Sequence, residues 1–202
     1  MTASSGGSGA LASRLRSRDC TIAYMGASVT AQKDGYRPRL HELLRAETGR
    51  DHTAVACAIG ATGSITGVFL MDELVLPRSP DIAFVEYTTS DAAGTTPPVH
   101  LETVLDGMFG KLVDAGCLPC VLHLYRRDHG LDATHPLVQI YARAARRYGV
   151  PSINVATYFA AAIRAGELDV DAILRDVVHT TALGSDLAAS FIVGALDELS
   201  TT

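Results

Sequence analysis

Two stretches at opposite ends of the chain carry residue types suited to acyl chemistry. Near the start, Gly26-Ala27-Ser28-Val29-Thr30 sets a serine directly behind the apolar run CTIAYM at 20–25. A hydroxyl at such a strand-to-helix turn serves as a helix cap or as a nucleophile, and the second role requires a base. Near the end, Asp176-Val177-Val178-His179 offers one. An acid three residues before a histidine can share one side of a turn, so that its carboxylate takes the Nδ1 proton while Nε2 faces a nucleophile. Each motif alone has a plainer reading, Ser28 as a cap and Asp176 with His179 as solvated surface groups.

Chemistry between these stretches needs a scaffold that brings both ends of the chain to one place. Short β-rich runs at 20–25, 53–59, 81–87, 118–125 and 150–155 alternate with amphipathic stretches near 36–48, 65–74, 99–116, 134–148, 156–165 and 182–199. The runs are nearly continuous in apolar residues, the pattern of strands buried on both faces. Gly49, Gly116 and Gly149 fall where helices should stop. The spacing predicts a five-stranded parallel sheet in a three-layer α/β/α sandwich. In such a sheet ligands bind beyond the carboxyl ends of the strands. There the loops read GASVTAQKDG, GATGS, TTSDAAGTTPP and RRDHGLD.

With 202 residues, 48% of them hydrophobic and 19% charged, the chain makes one domain. The Gly/Ser-rich start suggests a flexible tail over 1–18 and a single domain over 19–202. A net charge of −5 without any basic block argues against nucleic acid as a partner. No apolar run reaches the roughly 18–20 residues of a membrane span, and the first residues lack the apolar centre of a secretory signal. The expectation is a cytoplasmic protein with no membrane partner; its oligomeric state is not written in the sequence. Cys117 and Cys120 flank Pro119 in an apolar run with no second Cys pair, and Cys20 and Cys57 stand apart, so all four read as buried or half-buried free thiols. His41, His52, His100 and His135 lack metal-ligand spacing, and neither a metal nor a cofactor is expected.

In motif order and strand count the chain resembles the SGNH hydrolase superfamily, the GDSL-type esterases and lipases, over roughly residues 20–198. The resemblance implies a flavodoxin-like sheet, a nucleophile at Ser28 with Ala27 where the motif often has Asp, and Asp176 and His179 as acid and base. Thr181 to Gly184 looks like the family's lead into its last helix. It also implies an oxyanion hole built from the Ser28 N–H, a second-block N–H and a third-block side chain. In Ala58-Ile59-Gly60-Ala61-Thr62-Gly63-Ser64, counting back from Gly67 puts Ala61 rather than Gly60 on the donor position. In Glu86-Tyr87-Thr88-Thr89-Ser90-Asp91, Ser90 stands where the family has Asn. A lost oxyanion donor typically costs about 10²- to 10³-fold in rate. Three outcomes stay open: a serine esterase, an acyltransferase with the same nucleophile, or a catalytically impaired ligand-binding domain.

Further side chains bear on the substrate. Arg126 and Arg127 follow the fourth strand and suit an anionic group, unless Asp128 or Asp132 pairs with them. Tyr36 and Arg37, opening the first long helix, are candidates for the mouth of the site. Glu86, inside a buried strand, is expected to organise loop backbone near Ser28. The implied activity is hydrolysis of a small acetyl-like oxygen ester, with a saccharide ester among the candidate substrates.

Overall fold

The computed structural model describes residues 8–198. Five strands, β1 (Thr21–Gly26), β2 (Thr53–Ala58), β3 (Ile82–Glu86), β4 (Leu118–His123) and β5 (Ser152–Asn154), form one sheet in the order β2-β1-β3-β4-β5. Every neighbouring pair is parallel. The chain winds one way from β1 to β2 and the other way from β3 onward, so the crevice between β1 and β3 is the switch point at which such sheets bind ligands.

Side-chain alternation along the strands feeds two cores. Ile22, Tyr24, Phe84 and Leu122 face a layer made by α3 (Tyr36–Thr48), α8 (Val155–Arg164) and α10 (Ala182–Glu198), which contribute Leu40, Leu44, Phe159, Ala189 and Ile192. Ala23, Met25, Val85 and Val121 face α4 (Ser64–Leu74), α6 (Pro98–Asp114) and α7 (Pro136–Arg147), through residues such as Met71, Leu105, Phe109 and Tyr141. The expected helices are present with ends shifted by a residue or two, and Gly49, Gly116 and Gly149 take φ of +63°, +76° and +65°. β2 departs from the expectation of strands buried on both faces. As an edge strand it leaves Thr53, Ala54 and Ala56 exposed.

The reading of 1–18 as a loose tail is corrected for the part that is described. Ser8–Ser17 forms a helix, α1, whose Leu11, Ala12 and Leu15 are buried in the core. Their spacing of one and four residues puts them on one helix face, and that burial outweighs the Gly/Ser-rich lead-in. Residues 1–7 of the expected tail lie outside the described residues. Four-residue helices absent from the sequence expectation occur at α2 (Ser28–Ala31), α5 (Thr88–Asp91) and α9 (Val170–Ile173). All four cysteines are buried and free. Among the described residues no cluster of three His, Cys, Asp or Glu could hold a metal, and no helix is long and apolar enough to cross a membrane.

Candidate active site

β1 ends at Gly26, paired in register with Glu86. A Cβ at Gly26 would collide with Thr30 Oγ1 and the Glu86 carbonyl, so only glycine lets the Ser28 turn lie this close to β3. Ser28 then opens α2, a single turn in which the Ala31 N–H donates to Ala27 O (2.8 Å) and the Gln32 N–H to Ser28 O (3.0 Å). Ser28 is half-buried. The turn is braced from below, where Thr30 Oγ1 meets Tyr36 Oη at 3.0 Å and Arg37 Nε donates to the Thr30 carbonyl at 3.0 Å. Tyr36 is therefore not a mouth residue. It is wholly buried in the α3 core, where its ring packs and its hydroxyl finds a partner in Thr30.

His179 sits in a tight hairpin between α9 and α10, closed by a bridge between Leu174 and Thr180 and by the Arg175 N–H on His179 O (2.9 Å). His179 Nδ1 lies 2.8 Å from Asp176 Oδ2, while Asp176 Oδ1 accepts the backbone N–H groups of Val178 and His179, both at 2.8 Å. Partial burial pushes the Asp176 carboxyl up, but these hydrogen bonds and the imidazole together outweigh it and hold the group at about 2. Asp176 is thus an anion at any working pH. Thr181 caps α10 by accepting the Gly184 N–H on Oγ1 (3.2 Å).

Contacts that the sequence did not reveal dock this hairpin beside the Ser28 turn. Gln32 Nε2 and Arg175 Nε both donate to the Thr180 carbonyl, at 3.0 and 2.9 Å. Arg175 Nη2 reaches Asp34 Oδ2 at 2.9 Å, and Ser185 Oγ reaches Asp34 O at 3.2 Å. Ser28 lies four residues before Gln32 and His179 one before Thr180, so the structure brings both ends of the chain to one edge of the sheet. Among the described residues no hydrogen bond joins Ser28 Oγ to His179, a contact that in hydrolases commonly tightens only with substrate.

Gly60 flanks Ser28 closely, since a Cβ on Gly60 would lie 3.8 Å from Ser28 Cβ. Next to it Ala61 holds φ at +60°, the left-handed region that favours glycine. Ser90 ends up half-buried in α5 with its hydroxyl donated to the Tyr87 carbonyl (2.9 Å). A serine hydroxyl has one proton, and in this rotamer it is spent on main chain.

Glu86 is fully buried and organises backbone as its position suggested. Its Oε1 accepts the Thr89 N–H at 3.1 Å and Thr89 Oγ1 at 2.8 Å. Burial pushes its carboxyl up to about 7, against the pull of those two bonds. Close by, burial pushes His123 down to about 3, leaving a neutral ring 2.9 Å from Thr88 Oγ1. The two arginines point apart. Arg126 is ion-paired with Asp128 (Nε to Oδ1 2.7 Å), donating from Nη2 to its Oδ2 at 2.9 Å and from Nη1 to Thr89 O at 3.2 Å, whereas Arg127 pairs with Asp171 at 2.6 Å. Both charges are compensated within the protein, and Asp132 instead holds Thr134.

A family model for GDSL-like lipases and acylhydrolases matches residues 21–187. No curated protein matches the chain in sequence. Among solved structures, a two-domain esterase active on acetylated mannans, co-crystallised with mannopentaose, superposes with a TM-score of 0.82. It is 22% identical over 96% of this chain and 53% of its own, so this chain spans about half its length. A catalytic mutant of an acetylxylan esterase from Geobacillus stearothermophilus superposes at 0.73, with 13% identity over 90% and 96% of the two chains. The psychrotrophic esterase EstA from Pseudoalteromonas sp., inhibited by monoethylphosphonate, superposes at 0.71, with 16% identity over 91% and 100%. At these identities the likeness to the solved structures establishes the fold.

Proposed function

Because the chain belongs to the GDSL-like lipase/acylhydrolase family, we propose that it is a serine esterase that releases a small, acetyl-like acyl group from an oxygen ester. The observation that carries this reading is the Asp176–His179 bond in a hairpin docked on the turn that follows Ser28. Ser28 Oγ attacks the acyl carbon while His179 Nε2 takes its proton, and Asp176 holds the imidazole in the required tautomer. The oxygen that becomes negative is met by the N–H of Ser28, in the first turn of α2, and by that of Ala61 or Gly60. Collapse expels the alcohol, which takes the proton back from His179. Water, activated by the same imidazole, then attacks the acyl-enzyme and frees the acid and Ser28.

Ser90 joins the hole only by giving up its bond to Tyr87 O, which makes main chain the principal donor set. Acetylated saccharide is the favoured substrate class, because similar proteins act on acetylated mannans and on acetylxylan. Arg126, at the rim with its charge neutralised by Asp128, suits a sugar hydroxyl better than an anion. Four buried free thiols fit a reducing compartment such as the cytoplasm. The test is p-nitrophenyl acetate together with a fluorophosphonate probe. Wild type should show burst release of p-nitrophenol and become labelled, and Ser28→Ala and His179→Ala should lose both. Labelling that survives in both variants removes the mechanism.

A further inference from the structure

The loop that carries Gly60 and Ala61 runs directly into α4, and α4 starts without a cap of its own. Its N-cap residue is Gly63, which has no side chain to accept a bond. The first N–H groups of a helix need acceptors from somewhere. Here they come from the loop beyond β3: the Ser64 N–H donates to Asp91 Oδ1 (3.1 Å) and the Ile65 N–H to Thr96 Oγ1 (3.2 Å). Gly63 itself is pressed against that loop, since a Cβ there would lie 2.5 Å from both Thr95 Oγ1 and Thr96 Oγ1 and 2.6 Å from Asp91 Oδ1.

Asp91 is 6% exposed, and both its oxygens are occupied. Oδ1 also accepts Thr96 Oγ1 at 2.7 Å and Thr95 Oγ1 at 3.2 Å, while Oδ2 accepts Tyr141 Oη from α7 at 2.6 Å. One carboxylate therefore ties α4, the loop beyond β3 and α7 together. Carboxylates at a helix N-terminus also gain from the helix dipole. Two residues before Gly63, Ala61 holds its left-handed φ of +60°. That conformation is strained for a non-glycine residue and persists only where the surroundings enforce it.

We propose that Asp91 is the positioning residue of the oxyanion loop: by capping α4 from across the site it fixes Gly60 and Ala61 so that a backbone N–H faces the acyl oxygen on Ser28. The proposal rests on the esterase reading of the site. Asp91 touches neither substrate nor Ser28 and acts only through the loop.

The experiment compares the full-length wild type with Asp91→Ala, Asp91→Asn and Thr96→Val, using p-nitrophenyl acetate kinetics and amide hydrogen exchange. Loss of a correctly aimed oxyanion donor lowers kcat rather than raising KM. Asp91→Ala should lower kcat by about tenfold or more with KM within about twofold, and should speed exchange in segment 59–65 while the sheet stays protected. Asp91→Asn keeps an oxygen for Ser64, Thr95 and Thr96 and should recover most of the turnover. Thr96→Val retains the carboxylate and carries the test if Asp91→Ala does not fold; it should shift kcat and exchange the same way by a smaller factor. Wild-type kcat, a loss confined to KM, or wild-type exchange over 59–65 in these variants overturns the proposal, as does an Asp91→Asn no better than Asp91→Ala. If Ser28→Ala keeps wild-type turnover, the esterase reading fails instead, and the exchange data still decide whether Asp91 holds the loop.

Discussion

Two carboxyl groups at the same sheet edge are driven in opposite directions, Asp176 down to about 2 and Glu86 up to about 7. Asp176 lies in a half-open hairpin and collects its partners from within three residues, two N–H groups and an imidazole. Glu86 lies opposite Gly26 at the end of β3, fully buried, and its bonds to Thr89 do not offset the lost water. The Asp176–His179 pair is thus a local, part-exposed unit whose carboxylate is kept charged by short-range hydrogen bonds. Glu86 has partners just as local, and what sets it apart is its complete burial. The contrast teaches that one site can hold an obligate anion and a carboxyl poised near neutrality through burial alone, with no change of residue class.

If the hairpin works as a local device, Asp176→Asn should have the largest effect. The amide cannot hold the same tautomer, and kcat should fall by about 10²- to 10⁴-fold with the fold intact, since Asn keeps an oxygen for the Val178 and His179 N–H groups. Wild-type turnover in that variant would break the comparison on its catalytic side.

Glu86→Gln tests the buried side. An unfolded glutamate titrates near ~4.3, whereas the folded group titrates at about 7. Between those values the native state keeps a proton that the unfolded chain has released, so stability falls as pH rises through that window and levels off above it. Glutamine retains the acceptor for Thr89 and does not titrate. Its stability relative to wild type should improve by about 3 kcal/mol between pH 4.5 and 8, measured by urea unfolding. A pH-independent difference would show that Glu86 is not held neutral by burial.

Smaller effects sharpen the picture around Ala61 and Ser90. Ala61→Gly relieves the left-handed strain but loosens the unfolded chain, so the net gain should be at most about 1 kcal/mol, read as a raised melting temperature. Ser90→Ala should change kcat by less than about threefold, because the hydroxyl already serves the Tyr87 carbonyl; a tenfold loss would instead make Ser90 a transition-state donor.

What the sequence disclosed and what it hid divide along the same line. Helix α3 starts at Tyr36 and stops before Gly49 because apolar spacing and a terminating glycine are both local signals. Asp176 and His179 are legible for the same reason. Asp91 reads as one more loop acid, since its partners Ser64 and Tyr141 lie 27 and 50 residues away, and nothing in the spacing announces them. Gln32 and Arg175 were equally silent. Tyr36 was misplaced because a tyrosine at a helix start fits both a pocket rim and a core, and only the fold shows Thr30 waiting for its hydroxyl. In α1, Leu11 and Leu15 carried a signal that the Gly/Ser-rich neighbourhood masked.

The four buried cysteines have a use that their inertness conceals. Burial raises the Cys57 thiol and pushes Cys117 and Cys120 up to about 12, so near neutral pH almost no thiolate is presented and an alkylating reagent must wait for the chain to open. The thiols stand in different places: Cys20 just before β1, Cys57 in the edge strand, Cys117 before β4 and Cys120 within it. Together they report on three strands, β1, β2 and β4, and the order in which they react records the order in which those parts of the sheet open.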